Sequence, residues 1–334
     1  MLGAALVAGG AGGAWLTARR TARESHNRRA ANESGRPIDV VGADGGYRHV
    51  RVHGPDGAPS VVLVHCWTGT SELWHKQVTA LSGELRIVTY DHRGHGLSDE
   101  ARDGDYSLET LARDLDLVID ATVSEDERPL IAGHSMGAMT LAAWAEAHRG
   151  EVGSLIRGAA LLSTGLEELT AHTRVVRQLP GPFGTVRGRM ADTVMEAPGP
   201  LTGLPVPLLK MGVAYAALGP DADDADVELT TRAALDCRTK ARAKCGRAMS
   251  RMALLEKLDA LDVPAIVVAG ERDLMTPISH AERIELALPR SLGLRVDPKA
   301  GHMTPLESPQ VVNAALRELV EMTEPAVTAK DVAA

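Results

Sequence analysis

The stretch Leu130-Ile131-Ala132-Gly133-His134-Ser135-Met136-Gly137 constrains this chain more than any other. The apolar run at 129–132 predicts a buried strand. Residues 138–144, good helix formers with an apolar face, predict a helix close behind it. A strand that turns so quickly into a helix bends the chain sharply at the serine. Gly133 and Gly137 flank Ser135 as G-x-S-x-G and leave room for that bend. The bend exposes the Ser135 hydroxyl above the sheet edge, with the positive end of the helix dipole behind it. That is where a nucleophile is wanted. A chance G-x-S-x-G in a turn would lack the strand before and the helix after.

The rest of the chain repeats this alternation. Residues 38–43 and 47–53 flank Asp44-Gly45-Gly46, a hairpin signal. Buried strands are predicted at 60–65, 85–90, 158–162, 263–269 and 293–296. Helices are predicted at 71–81 with Ser71 as cap, and at 107–121 with Ser107 as cap and Glu109 and Asp114 facing outward. Two more are predicted at 279–288 and 309–322. Buried strand followed by amphipathic helix means a mostly parallel sheet with helices on both faces, an α/β fold.

The pattern lapses after Ser163. Residues 166–261 carry Pro/Gly-rich pieces and then a long Ala/Arg/Lys-rich helical stretch at 227–258, which predicts a cap inserted over the C-terminal edge of the sheet. The expected division is an apolar N-terminal segment and polar linker (1–37), a core in two parts (38–165 and 262–323) around the cap, and a disordered tail (324–334).

Residues 2–18 are apolar and glycine-rich, and Arg19, Arg20, Arg23, Arg28 and Arg29 follow. The stretch is close to the lower length limit of a membrane span, about 17 residues. It lacks the basic start of a secretory signal. Arginines behind a span would hold the catalytic domain on the cytoplasmic side of a membrane. A soluble cytoplasmic chain with a disordered leader is the alternative, and a cleaved signal the third. The net charge of −8, with no basic, aromatic-laced stretch, argues against a nucleic-acid partner. Cys66, Cys237 and Cys245 form neither a disulfide framework nor a zinc pattern. On one helix, Cys237 and Cys245 would stand about 12 Å apart, too far to bridge. All three read as reduced. No metal and no cofactor is expected.

A serine hydroxyl attacks well only when a histidine takes its proton and a carboxylate orients that histidine. Twelve histidines are available, so position decides. His302, in Ala300-Gly301-His302-Met303, follows the last strand at the same sheet edge as Ser135. The acid belongs between 136 and 301 in the order Ser, acid, His. The strand at 263–269 runs straight into Gly270-Glu271-Arg272-Asp273, and Asp273 is the candidate, with Glu271 its main rival. Asp297 lies too close behind His302 to face its ring. A tetrahedral intermediate needs two backbone N–H donors. These are expected from Met136, directly after the nucleophile, and from Trp67, in the loop after the strand ending at His65. His134 is read as pointing away from the apex. His92 and His95, in Asp91-His92-Arg93-Gly94-His95-Gly96-Leu97-Ser98, are read as packing beneath the site.

Taken in order, His65-Cys66-Trp67, the 91–98 loop, Gly133-His134-Ser135-Met136-Gly137, and Asp273 with Gly301-His302 resemble the α/β-hydrolase fold family, in its esterase and haloperoxidase-like branch. The N-terminus resembles membrane-associated actinobacterial members. The resemblance implies an eight-stranded, mostly parallel sheet, a Ser135–His302–Asp273 triad, and an oxyanion hole from Trp67 and Met136. It departs at Cys66, where the family usually has glycine. It implies a serine hydrolase cleaving esters of hydrophobic small molecules. Alternatives are a thioesterase, lactonase or cyclase acting on a polyketide-like acyl chain, or a non-catalytic binding protein. The apolar piece at 201–218 suits a hydrophobic substrate. Relatives that open epoxides or displace halide carry aspartate at the nucleophile position, so those chemistries are disfavoured.

Overall fold

The computed structural model describes residues 34–167, 169, 173–175, 195–197 and 205–323. Eight strands form one sheet: β1 (Arg36–Val41), β2 (Tyr47–His53), β3 (Ser60–Val64), β4 (Arg86–Tyr90), β5 (Leu130–His134), β6 (Gly158–Leu162), β7 (Ala265–Gly270) and β8 (Ser291–Asp297). Their order is β1-β2-β4-β3-β5-β6-β7-β8. The β1–β2 and β2–β4 pairs are antiparallel, and every later pair is parallel. β3, β5, β6 and β7 are buried on both faces, which is why their sequences are nearly continuous apolar runs.

The helices of seven or more residues are α1 (His75–Leu81), α2 (Leu108–Thr122), α3 (Met136–Ala147), α4 (Val206–Ala217), α5 (Asp224–Asp236), α6 (Thr239–Ser250), α7 (Ile278–Ala287) and α8 (Pro309–Thr323). Alternate strand residues face opposite layers. Val62, Ile131, Leu161 and Val267 pack with α2, α3 and α7. Leu63, Ala132, Leu162 and Val268 pack with α1 and α8. α4, α5 and α6 all fall in the chain between β6 and β7.

Ser107 caps α2 by accepting from the Thr110 N–H. Four other expectations need correction. Ser71 begins a 3₁₀ turn (Ser71–Trp74), not a continuous helix, and makes no cap; its N–H donates to Asp91 Oδ1 at 2.7 Å. The first strand starts and ends two residues earlier than expected, because Gly42 already belongs to the turn, its N–H donating to Gly46 O. Asp114 faces inward, where Arg48 Nε (2.9 Å) and Arg93 Nε (2.7 Å) donate to its carboxylate. The long helical stretch breaks where Cys237 and Arg238 turn extended, so Cys237 and Cys245 do not share a helix. Arg238 Nη1 there reaches out to Ser98 O. All three cysteines are buried and free.

Among the described residues no helix is long and apolar enough to cross a membrane. Residues 2–18, the tail at 324–334 and residues 176–194 and 198–204 of the expected cap lie outside the described residues.

Candidate active site

Ser135 sits between β5 and α3 with φ +52° and ψ −114°, a backbone conformation that L-residues rarely adopt. The neighbouring glycines explain how the chain tolerates it. A Cβ on Gly133 would stand 2.4 Å from Ala138 N, and one on Gly137 2.1 Å from Val64 O. Any side chain at either place would collide with backbone and push the elbow open. The elbow is pinned from the next strand: Ser135 N donates to Leu162 O, and Thr164 Oγ1 donates to Ser135 O.

His302 lies in the loop after β8, with Nε2 2.9 Å from Ser135 Oγ and Nδ1 2.8 Å from Asp273 Oδ2. Asp273 is buried in the turn after β7, and its rival Glu271 is exposed. Gly270 allows the two loops to meet, since a Cβ there would stand 2.1 Å from Gly301 O. Asp297 turns away and accepts the Lys299 and Ala300 N–H groups.

A family model described as alpha/beta hydrolase fold matches residues 59–197. A 3-oxoadipate enol-lactonase of Acinetobacter baylyi is 24% identical over 290 residues, covering 82% of this chain and 92% of that one. A putative carbamate hydrolase, RutD, of Variovorax paradoxus is 26% identical over 286 residues, covering 84% and 99%. A thermophilic esterase from Thermogutta terrifontis superposes with a TM-score of 0.69 at 21% identity, covering 87% and 99%. The chain has the α/β-hydrolase fold.

The electrostatics of the site follow from what surrounds each group. Burial would raise the pKa of Asp273. The charge and N–H of His302, with the Thr276 donors, outweigh burial and hold the carboxyl below its ordinary range. Asp273 Oδ1 accepts the Met275 and Thr276 N–H groups, both at 2.8 Å, and Oδ2 accepts Thr276 Oγ1–H at 2.7 Å. An Asp273 so held is a fixed acceptor for the His302 Nδ1–H, which leaves Nε2 to accept from the serine.

Met136 opens α3 directly after Ser135, and Trp67 lies in the loop after β3. Among the described residues neither backbone N–H has a protein acceptor. The Trp67 loop is shaped by Thr68, at φ +57°, and by Gly69 N–H donating to Cys66 O. Cys66, in the place of the usual glycine, is buried beside Leu73, Leu218 and Met303, and burial pushes its thiol up to about 12. It is therefore a small apolar side chain and not a reactive thiolate. The Trp67 indole N–H donates to Arg242 O in α6.

Two residues in contact with the constellation escaped the sequence reading. Thr276 touches both Asp273 and His302, with Oγ1 3.2 Å from His302 Nδ1. His134 does not point away from the site. Its Nε2 lies 2.8 Å from His302 O and donates to it, and the two rings are 5.2 Å apart. Burial, with the His302 charge beside it, keeps the His134 imidazole neutral, its pKa lowered to about 3. A G-x-S-x-G match specifies neither residue, because their partners lie far along the chain or in a three-residue turn. His92 and His95 pack under the Trp67 loop, where His92 N–H donates to His65 Nε2. Among the described residues no group of three His, Cys, Asp or Glu side chains is arranged to hold a metal ion.

Proposed function

We propose that the chain is a serine hydrolase that cleaves carboxylic esters of small hydrophobic molecules through an acyl-enzyme. Ser135 Oγ attacks the acyl carbon while His302 Nε2 takes its proton. The Met136 and Trp67 N–H groups receive the negative charge of the tetrahedral intermediate. His302 then gives its proton to the leaving alcohol, and the acyl–Oγ bond remains. Water, deprotonated by the same nitrogen, attacks the acyl carbon; the acyl–Oγ bond then breaks, His302 returns the proton to Ser135 Oγ, and the acid is released. Asp273 fixes the His302 tautomer and stabilises the imidazolium. The observation that carries this reading is the continuous run Ser135 Oγ–His302 Nε2 at 2.9 Å and His302 Nδ1–Asp273 Oδ2 at 2.8 Å, at a buried nucleophile.

The same proposal makes residues 166–261 a cap on the core, with the sheet's two halves at 38–165 and 262–323. It is supported by Ala217 O, which accepts the His302 and Met303 N–H groups, and by the Trp67–Arg242 bond. A lactone is the second reading, favoured by the enol-lactonase relative. Acyl thioesters, lactones and p-nitrophenyl esters of increasing chain length, compared by kcat/KM, separate the classes. Preference for esters supports the first reading. A lactone preferred by tenfold or more, about 1.4 kcal/mol, overturns it in favour of the second.

A place at a membrane belongs to the same proposal. It is supported by the apolar stretch at 2–18 with its following arginines, and by the exposed row Leu208, Met211 and Tyr215 on α4. Cell fractionation of the full chain, and of one lacking residues 1–30, tests it. Membrane recovery of the full chain alone supports it. Recovery of both in the soluble fraction overturns it.

A further inference from the structure

The peptide of His302 is held from both sides. Its C=O accepts from His134 Nε2, and its N–H donates to Ala217 O at 3.0 Å, the last carbonyl of α4. Met303 N–H shares the same carbonyl at 3.2 Å. The loop that carries the histidine is therefore bonded to an element of the cap.

Glu307 closes this arrangement. It ends the short turn Thr304–Glu307, which is fixed to the core by Gln77 Nε2 donating to Pro305 O and by the Ser163–Thr304 hydroxyl pair. From that base its carboxylate reaches back over the loop. Oε1 accepts the Gly301 and Met303 N–H groups at 3.1 and 3.0 Å. Oε2 accepts Gly301 N–H at 3.1 Å and, across to the cap, Gly219 N–H at 2.5 Å. Three backbone donors of two separate segments share one carboxylate. No side chain fits between the segments: a Cβ on Gly219 would stand 2.3 Å from Lys299 O, and one on Gly301 2.5 Å from Gly219 N. Cys66, Leu73, Ala217, Leu218, Met303 and Leu306 form one apolar cluster beside this contact. A shift of residues 217–219 therefore displaces the His302 backbone.

We propose that Glu307 is a positioning residue that clasps the His302 loop to residues 217–219 of the cap, so that the base is aligned with Ser135 only while this part of the cap is seated. The proposal rests on His302 acting as the base. Its effect belongs to the chemical step and not to substrate affinity, because Glu307 acts through the backbone of the catalytic loop. A turn serving stability alone would lower the melting temperature and leave each folded molecule fully active.

The test is hydrolysis of p-nitrophenyl butyrate by full-length wild type, Glu307→Gln, Gly219→Ala and Ser135→Ala, with melting curves in parallel. Glu307→Gln keeps the side-chain shape, and its amide replaces one acceptor oxygen. Gly219→Ala leaves Glu307 intact and pushes residues 217–219 off Lys299 O. Both are expected to lose about ten- to a hundredfold in kcat, the range for a catalytic group displaced by about 1 Å. KM should stay within about threefold. Folded variants with wild-type kcat, or a loss confined to KM, would overturn the clasp. Should one variant fail to fold, the other decides by the same criterion. Wild type no faster than Ser135→Ala would remove the underlying reading and the clasp with it.

Discussion

At the scale of single residues, backbone collisions set the elbow and hydrogen bonds set the chemistry. Gly137→Ala places a methyl group 2.1 Å from Val64 O, a backbone atom that no rotamer can move. The expected loss of stability is at or above the top of the roughly 1–3 kcal/mol range for overpacking, read as a fall in the urea midpoint. Ser135→Ala adds no bulk and should keep the wild-type melting temperature. Its kcat is expected to fall on the order of 10⁶-fold, the scale seen when a triad serine is removed. Asp273→Asn, which favours the wrong His302 tautomer, should lose on the order of 10⁴-fold, and near-normal turnover in that variant would contradict its role. The elbow and the histidine were legible because their signals are local: two glycines around a serine, and a glycine-histidine pair at the end of a strand. The choice of Asp273 over Glu271 was only partly so. Both follow the same strand, and burial separates them. Thr276 and His134 were illegible because what they bind is set by the fold.

At the scale of elements, most helices and strands could be read from periodicity, and the failures share a cause. Asp114 occupies a position in α2 that sequence alone assigns to solvent. It is buried because Arg48 and Arg93, 66 and 21 residues away, converge on it. Asp114→Ala would leave two buried guanidiniums without their shared carboxylate. A loss of about 3–5 kcal/mol is expected in urea unfolding, against a fraction of that for a solvated carboxylate. The break between α5 and α6 was equally hidden. Its residues are ordinary helix formers, and the extended turn at Cys237 and Arg238 accompanies a tertiary bond from Arg238 to Ser98 O. Propensity is a weak prior wherever such contacts compete with it.

At the scale of the whole molecule, the alternation of apolar strands and amphipathic helices carried the fold class, and the eight-strand sheet brings Ser135, Asp273 and His302 to one edge. The same close packing buries several neutral imidazoles. Burial lowers His53 and His65 to about 4 and His95 and His134 to about 3, from an ordinary 6.5. Below pH 6.5 the unfolded chain binds protons that the folded chain refuses, so stability falls with pH from about 6.5 toward 4 and below. One such histidine contributes a slope of up to about 1.4 kcal/mol per pH unit. Urea unfolding between pH 7 and 5 is expected to show a steeper fall than that, and a flat profile would contradict the buried neutral state. Glu307 and residues 217–219 extend the same close packing to the cap, which pattern alone placed but could not connect to the histidine.

Intact-protein mass spectrometry after exposure to a fluorophosphonate, followed by peptide mapping, tests the nucleophile most directly. One adduct on Ser135 in wild type, absent in Ser135→Ala and formed far more slowly in His302→Ala, is the expected result. No adduct, or one at another residue with Ser135 left free, would contradict it.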